Sequence, residues 1–222
     1  MFFGSIPALI TPFADGELDL ACFAALIDRQ LDAGSHGLLV AGTTGEAPTL
    51  ARAEKLRLIE TAVQRADGAV PVIAGTGTND TAESIELTRE AARLGAGAAM
   101  VVCPYYNKPR QDGIYAHFEA IHRNTELPLI VYNVPGRCGT RIEPDTLMAV
   151  LALSRVVGVK DATGDLALPL AVRERFGESV VQFSGEDATV AAFLAQGGHG
   201  CISVTANVAP GWCAGLFDAW GA

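Results

Sequence analysis

Eight short apolar runs place the tightest limit on what this chain can fold into. They fall at 5–10 (SIPALI), 37–41 (GLLVA), 71–74 (PVIA), 98–103 (AAMVVC), 128–132 (PLIVY), 156–160 (VVGVK), 180–184 (VVQFS) and 200–204 (GCISV). Each is continuously apolar instead of alternating, the pattern of a parallel strand covered on both faces. Between them the apolar residues recur at helical spacing. Phe23, Leu26, Ile27 and Leu31 stand at offsets 0, 3, 4 and 8, Leu56, Ile59 and Val63 at 0, 3 and 7, and Leu87, Ala91 and Leu94 at 0, 4 and 7. Asp80 with Glu83 has the form of a capping box, and Pro144 suits a first helical position. Eight strand–helix repeats without a linker predict a (β/α)8 TIM barrel, one α/β domain over residues 1–222. A doubly wound open sheet is the competing architecture. It wants a Gly-rich turn after its first strand, where this chain has Thr11-Pro12-Phe13. Such barrels take about 250 residues, so 222 residues predict a barrel that ends within its eighth helix. Trp212, Leu216 and Trp220, at offsets 0, 4 and 8, would form a face of that helix with few packing partners.

Composition narrows the function classes. Hydrophobic residues make up 50% and charged residues 18%, enough material for a core and incompatible with disorder. The formal charge of −9 repels phosphate backbones, so no nucleic-acid partner is expected. Mean hydropathy is +0.28. No stretch approaches the roughly 18 consecutive apolar residues of a membrane helix, so no membrane association is expected. The start of the chain has no basic residue before Arg29 and carries Pro7 and Pro12, so no secretory signal is readable. Five cysteines without a CxxC pair read as reduced thiols of a cytoplasmic protein. Of the 16 basic residues 13 are Arg, which leaves Lys55, Lys108 and Lys160 as the only lysines.

In barrels of this kind chemistry collects at the C-terminal ends of the strands. Those ends here offer Thr43-Thr44-Gly45-Glu46, Gly75-Thr76-Gly77, Tyr105-Tyr106, Tyr132-Asn133, Lys160-Asp161, Gly185-Glu186 and Ser203. No carboxylate pair or His cluster suited to a metal appears among them, and no metal is expected. Lys160 closes an apolar run, where burial would disfavour its ammonium and supply a nucleophilic amine. The alternative is a strand-end lysine that reaches solvent and pairs with Asp161. Thr43-Thr44-Gly45 offers backbone N–H groups and hydroxyls to a small carboxylate, or is an ordinary turn into the next helix. The Tyr132 phenol could relay a proton, or simply plug the barrel. Arg137 could fork onto a carboxylate or be a solvated charge. His117 and His122 fall on a helical segment and are expected at the surface, as are Lys55 and Lys108.

Together these residues resemble the class I pyruvate-dependent aldolases and lyases of the dihydrodipicolinate synthase / N-acetylneuraminate lyase family. The resemblance rests on Gly42-Thr43-Thr44-Gly45-Glu46, Tyr105-Tyr106-Asn107, Tyr132-Asn133-Val134-Pro135 with Arg137, Gly158-Val159-Lys160-Asp161-Ala162-Thr163-Gly164, and Ser203-Val204-Thr205-Ala206-Asn207, in family order along the chain. It implies that Lys160 forms the imine with pyruvate and that Thr44 cradles the pyruvate carboxylate, with Ile202 and Gly185 beside that pocket. Tyr132, Thr43 and Tyr106 would form a proton relay, Tyr106 being lent across a subunit interface in a dimer of dimers. Arg137 would receive the carboxylate of aspartate semialdehyde. No cofactor beyond the lysine imine is implied. Thr43, where the N-acetylneuraminate lyases usually have serine, and Arg137, which they lack, favour the synthase branch in lysine and diaminopimelate biosynthesis. Asn79, Glu83 and Tyr105 match part of the family's feedback pocket for lysine. Arg52, Lys55 and Ala47-Pro48 depart from it, which puts feedback inhibition in doubt. Members of the family complete helix 8 and add a C-terminal helical domain, so a non-catalytic truncated barrel is the other reading.

Overall fold

The computed structural model describes residues 2–221. Eight parallel strands form one sheet: β1 (Gly4–Pro7), β2 (Leu38–Val40), β3 (Val72–Gly75), β4 (Ala98–Val102), β5 (Leu129–Asn133), β6 (Val156–Asp161), β7 (Val181–Ser184) and β8 (Gly200–Ser203). Their order around the sheet is β1-β8-β7-β6-β5-β4-β3-β2, and a parallel bridge between Ala8 and Leu39 brings the two ends together. Helices α1 (Leu20–Asp32), α2 (Arg52–Ala66), α3 (Thr81–Arg93), α4 (Gln111–Asn124), α5 (Pro144–Leu151), α6 (Leu168–Phe176), α7 (Val190–Ala195) and α8 (Pro210–Gly221) follow the strands in turn. This is the (β/α)8 barrel, and the open doubly wound sheet is excluded.

The seam between β1 and β2 explains the strand whose predicted end moves furthest. β1 stops at Pro7, short of Ile10, because the Ala8 N–H still donates to Ser203 of β8 while the Leu9 N–H donates to Leu39 of β2. The backbone is crossing from one neighbour to the other there. Next to it lies a small hairpin, Phe13–Ala14 against Glu17–Leu18. Its turn, Asp15-Gly16, has φ of 52° and 85° at the two central residues, the left-handed pair that Asp-Gly supplies at low cost.

Helix starts follow local chemistry. Asp80 caps α3 by accepting from the N–H groups of Ala82 and Glu83. The reciprocal half expected of a capping box is absent, because the Asp80 N–H donates to Thr78 Oγ1 instead. Pro144 opens α5. On α2 the buried face runs through Lys55, Leu58, Ile59, Ala62 and Ala66, one residue round from the face centred on Leu56 and Val63. That rotation corrects the expectation for Lys55: it lies on the inward face and is 7% exposed. His117 is a second correction, since it packs with Ile114, Phe118 and Ile121 on the buried face of α4. His122 is half-buried. On α8, Trp212, Leu216 and Trp220 are exposed, Trp212 to 88%.

Candidate active site

β5 and β6 run in register with Tyr132 opposite Lys160 and Asn133 opposite Asp161. Paired residues on neighbouring strands point to the same face, so Tyr132 and Lys160 meet, with the Lys160 Nζ 4.3 Å from the centre of the Tyr132 ring. Lys160 is 5% exposed. Burial lowers its pKa to about 8, Arg137 adds to that lowering, and Cys201, Glu186 and Asp187 oppose it. The alternative pairing with Asp161 does not occur. Asp161 Oδ2 accepts instead from the Thr163 N–H and hydroxyl, and Oδ1 has no partner among the described residues. Burial raises the Asp161 pKa.

Gly185, just after β7, makes room for the lysine. Its N–H donates to the Asp161 carbonyl at 2.7 Å. A Cβ there would come within 2.8 Å of the Ala162 Cβ and 3.3 Å of the Lys160 Cε. Gly75, at the end of β3, is a glycine for a similar reason: a Cβ would lie 2.1 Å from the Ala41 carbonyl oxygen. The Gly75-Thr76-Gly77 segment therefore serves backbone packing, with the Thr76 hydroxyl tied to Thr88 at 2.8 Å.

A cavity of about 260 Å³ opens beside Tyr132, its wall including Thr43, Arg137, Tyr105, Lys55 and Cys138, while Lys160, Thr44 and Gly185 are not part of that wall. Burial raises the pKa of Tyr132, while Thr43 beside it and the Arg137 charge pull the other way. Thr43 and Thr44 follow β2 in a tight turn closed by the Gly45 and Ala47 N–H groups on the Gly42 carbonyl. Neither of their own N–H groups bonds to another backbone group among the described residues, which leaves a small concave donor set. Arg137 stands exposed on the short helix Pro135–Cys138 that follows β5. Asn133 is wholly buried and clamps Ile142 through both backbone groups, at 3.0 and 3.1 Å.

The remaining expected site residues lie further out. Tyr106 is 87% exposed and holds a left-handed φ of 70°, so its ring leaves this barrel instead of facing Tyr132. Ile202 is fully buried on β8 in register with Ile6 of β1 and is not part of the cavity wall. Tyr105 is on that wall, and burial together with Glu83 raises its pKa. Asn79 holds the Asn107 side chain through its carbonyl at 3.1 Å.

Three residues at the site were not foreseen. Asp187 accepts hydrogen bonds from Ser203 Oγ and the N–H groups of Val204 and Thr205. Burial pushes its pKa up, but those bonds outweigh it and hold the carboxyl below the usual range. Cys138 donates to the Cys103 carbonyl, and burial raises its thiol to about 11. Lys55 is the third by the helical spacing alone, which set it at the surface although the resemblance had set it at the feedback pocket. Among the described residues no group of three or more His, Cys, Asp or Glu side chains is placed to hold a metal. Among the described residues no helix is long and apolar enough to cross a membrane.

Comparison with known proteins follows from this geometry. The profile of the Dihydrodipicolinate synthetase family matches residues 1–222. The chain belongs to that family. It is 55% identical over 220 residues to 4-hydroxy-tetrahydrodipicolinate synthase of Rhodospirillum centenum, covering 99% of this chain and 76% of the relative. The solved dihydrodipicolinate synthase of Aquifex aeolicus superposes with a TM-score of 0.95 at 42% identity, covering 98% of this chain and 75% of that one. The chloride-inhibited enzyme of Acinetobacter baumannii, solved with pyruvate, gives 0.95 at 41% identity over 99% and 76%. The chain thus spans about three-quarters of the length of these family members.

Proposed function

We propose that this barrel is a Schiff-base lyase that condenses pyruvate with L-aspartate 4-semialdehyde to 4-hydroxy-tetrahydrodipicolinate. The observation that carries the reading is Lys160, buried at a strand end, with a pKa near 8 and its amine over Tyr132. Family membership supports the pairing of substrates.

Each step has a residue suited to it. The neutral Lys160 amine adds to the pyruvate ketone, and loss of water leaves a protonated imine. The Thr43–Thr44 donors hold the pyruvate carboxylate. The imine is an electron sink, so a methyl proton can leave through Tyr132 and Thr43 to give an enamine. The enamine carbon attacks the aldehyde, whose oxygen takes up a proton, while Arg137 holds the aldehyde's carboxylate. The substrate's own amine then adds to the imine carbon and displaces Lys160, closing the ring and restoring the free lysine. No dissociable cofactor is required.

Tyr106 would complete the relay of a neighbouring copy, which makes the active unit at least a dimer and, by family resemblance, a dimer of dimers. Its exposure supports this, because a buried relay member would face its own barrel. The cytoplasm is the proposed location, supported by a biosynthetic role and unpaired cysteines.

Borohydride reduction with pyruvate tests the reading. One lysine should gain the adduct, and peptide mapping should place it on Lys160. Lys160→Arg should gain none, because guanidinium stays protonated. An adduct on Lys55 or Lys108, or none in the wild type, would sink the proposal.

A further inference from the structure

Arg137 stands exposed on the cavity wall and joins no ion pair among the described residues. Its direction therefore follows the backbone beneath it. That backbone is the single turn Pro135–Cys138, closed by the Arg137 and Cys138 N–H groups on the Val134 carbonyl and by the Gly139 N–H on the Pro135 carbonyl. One helical turn does not hold itself in water, so contacts from outside must keep it. Asn133 supplies one of them, through its clamp on Ile142 further along the loop.

The other is a thiol. Cys138, the last residue of the turn and 3% exposed, donates from Sγ to the carbonyl of the wholly buried Cys103 at 3.1 Å. Cys103 directly follows β4, and its N–H donates to the Tyr132 carbonyl of β5. Its own carbonyl receives no backbone N–H among the described residues, because β5 ends at Asn133 and the chain turns into the helix at Pro135. The thiol takes the place of the next ladder donor. Without it a buried acceptor would go unsatisfied. Burial raises the thiol to about 11, so it keeps its proton and remains a donor at neutral pH. Cys103 also opens the segment Pro104-Tyr105-Tyr106, in which Tyr105 lines the cavity and Tyr106 turns outward. A further contact joins the same two segments: a Cβ on Gly139, where φ is 69°, would come within 2.8 Å of the Lys108 Cε. The turn that carries Arg137 is thus fastened to the stem of the loop that carries both tyrosines.

We propose that Cys138 is a positioning residue, whose thiol bond to the Cys103 carbonyl sets the reach of Arg137 into the cavity and so the fit of the aldehyde substrate's carboxylate. The inference rests on the role given to Arg137 above. Lys160 is held on β6, away from this bond, so imine formation with pyruvate does not depend on Cys138.

Two substitutions at one position carry the test. Cys138→Val fills the site without a donor, and Cys138→Ser restores one. In Cys138→Val the KM for aspartate semialdehyde should rise about tenfold. The KM for pyruvate and the borohydride adduct on Lys160 should stay within about twofold of the wild type. Cys138→Ser should return the aldehyde KM to within about threefold of the wild type. A purely structural role would move both KM values together. Cys138→Ala, which also lacks the donor, repeats the test should the valine chain not fold. Hydrogen exchange reads the same bond without turnover. The Arg137, Cys138 and Gly139 amides should exchange about tenfold faster in Cys138→Val and at the wild-type rate in Cys138→Ser. Arg137→Ala separates the two claims. If it leaves the aldehyde KM unchanged, the role of Arg137 fails and this proposal with it. If it raises that KM while Cys138→Val does not, the role of Arg137 stands and the positioning by Cys138 is overturned. Unmoved exchange at the three amides in Cys138→Val, or no rescue by serine, overturns it too.

Discussion

An ordinary lysine amine is neutral in roughly one molecule in a few thousand at pH 7. With Lys160 lowered to about 8 by burial, the neutral fraction rises to about one in ten. Imine formation with pyruvate should therefore increase from pH 6 to pH 8 and level off above it, which stopped trapping with borohydride would follow. The same lowering has a stability cost with a definite sign. The folded state holds the Lys160 proton less tightly than the unfolded chain, so the penalty is fully present below pH 8 and disappears as pH rises towards 10.5. It amounts to about 3 kcal/mol. Lys160→Met should be inactive yet more stable than the wild type at pH 7, as urea unfolding would register. Tyr132→Phe keeps the ring beside the lysine but removes the phenol. It should still form the trapped imine while turnover falls by about 10²- to 10³-fold. Lys160 was legible because an apolar strand led directly into it. Lys55 was not, because three large residues at helical spacing drew the face of α2 one position away from the true one.

Single residues at element junctions show where packing overrode the sequence pattern. His117 joins α4 to α3 through the Thr81 hydroxyl at 2.9 Å, and burial lowers its pKa to about 4, opposed by Asp80. Its folded form therefore resists protonation, so it contributes instability as pH falls from about 6.5 to 4. In His117→Gln the acid limb of a melting-temperature profile should flatten across that window. An unchanged slope would mean that other groups control it. At the β2–β3 junction, Gly75→Ala forces a methyl onto the Ala41 carbonyl. It should cost more than about 3 kcal/mol, measurable as a lowered denaturant midpoint. The strands were readable as a set because burial on both faces leaves an unbroken apolar run. The hand-over of β1 between two neighbours was not, since it depends on backbone hydrogen bonds 30 and 195 residues away in sequence, to Leu39 and Ser203. The Asp15-Gly16 turn was a readable hairpin signal that the strand pattern overshadowed.

Across the whole molecule, two exposed features bear on association. Tyr106 stands away from its own barrel, and α8 presents Trp212, Leu216 and Trp220 to solvent. Sedimentation should find at least a dimer, and Tyr106→Phe should lower turnover without changing that mass. A fully active monomer would remove the basis for a shared relay. The indole stripe belongs to the kind of apolar patch that drives contact. Trp212→Ser with Trp220→Ser should reduce binding of a hydrophobic dye. The closing of the ring also sets a schedule for how this protein is made. β1 pairs along its whole length with β8, but meets β2 only at one bridge. Arg29 of α1 and the Ala8 carbonyl wait for Asn207 and Val208 as well. At 5–20 residues per second the ribosome delivers those partners roughly 10–40 s after the first strand. For that interval the apolar β1 has no strand to complete its edge, and a cell must shelter it from other chains until β8 has been threaded out.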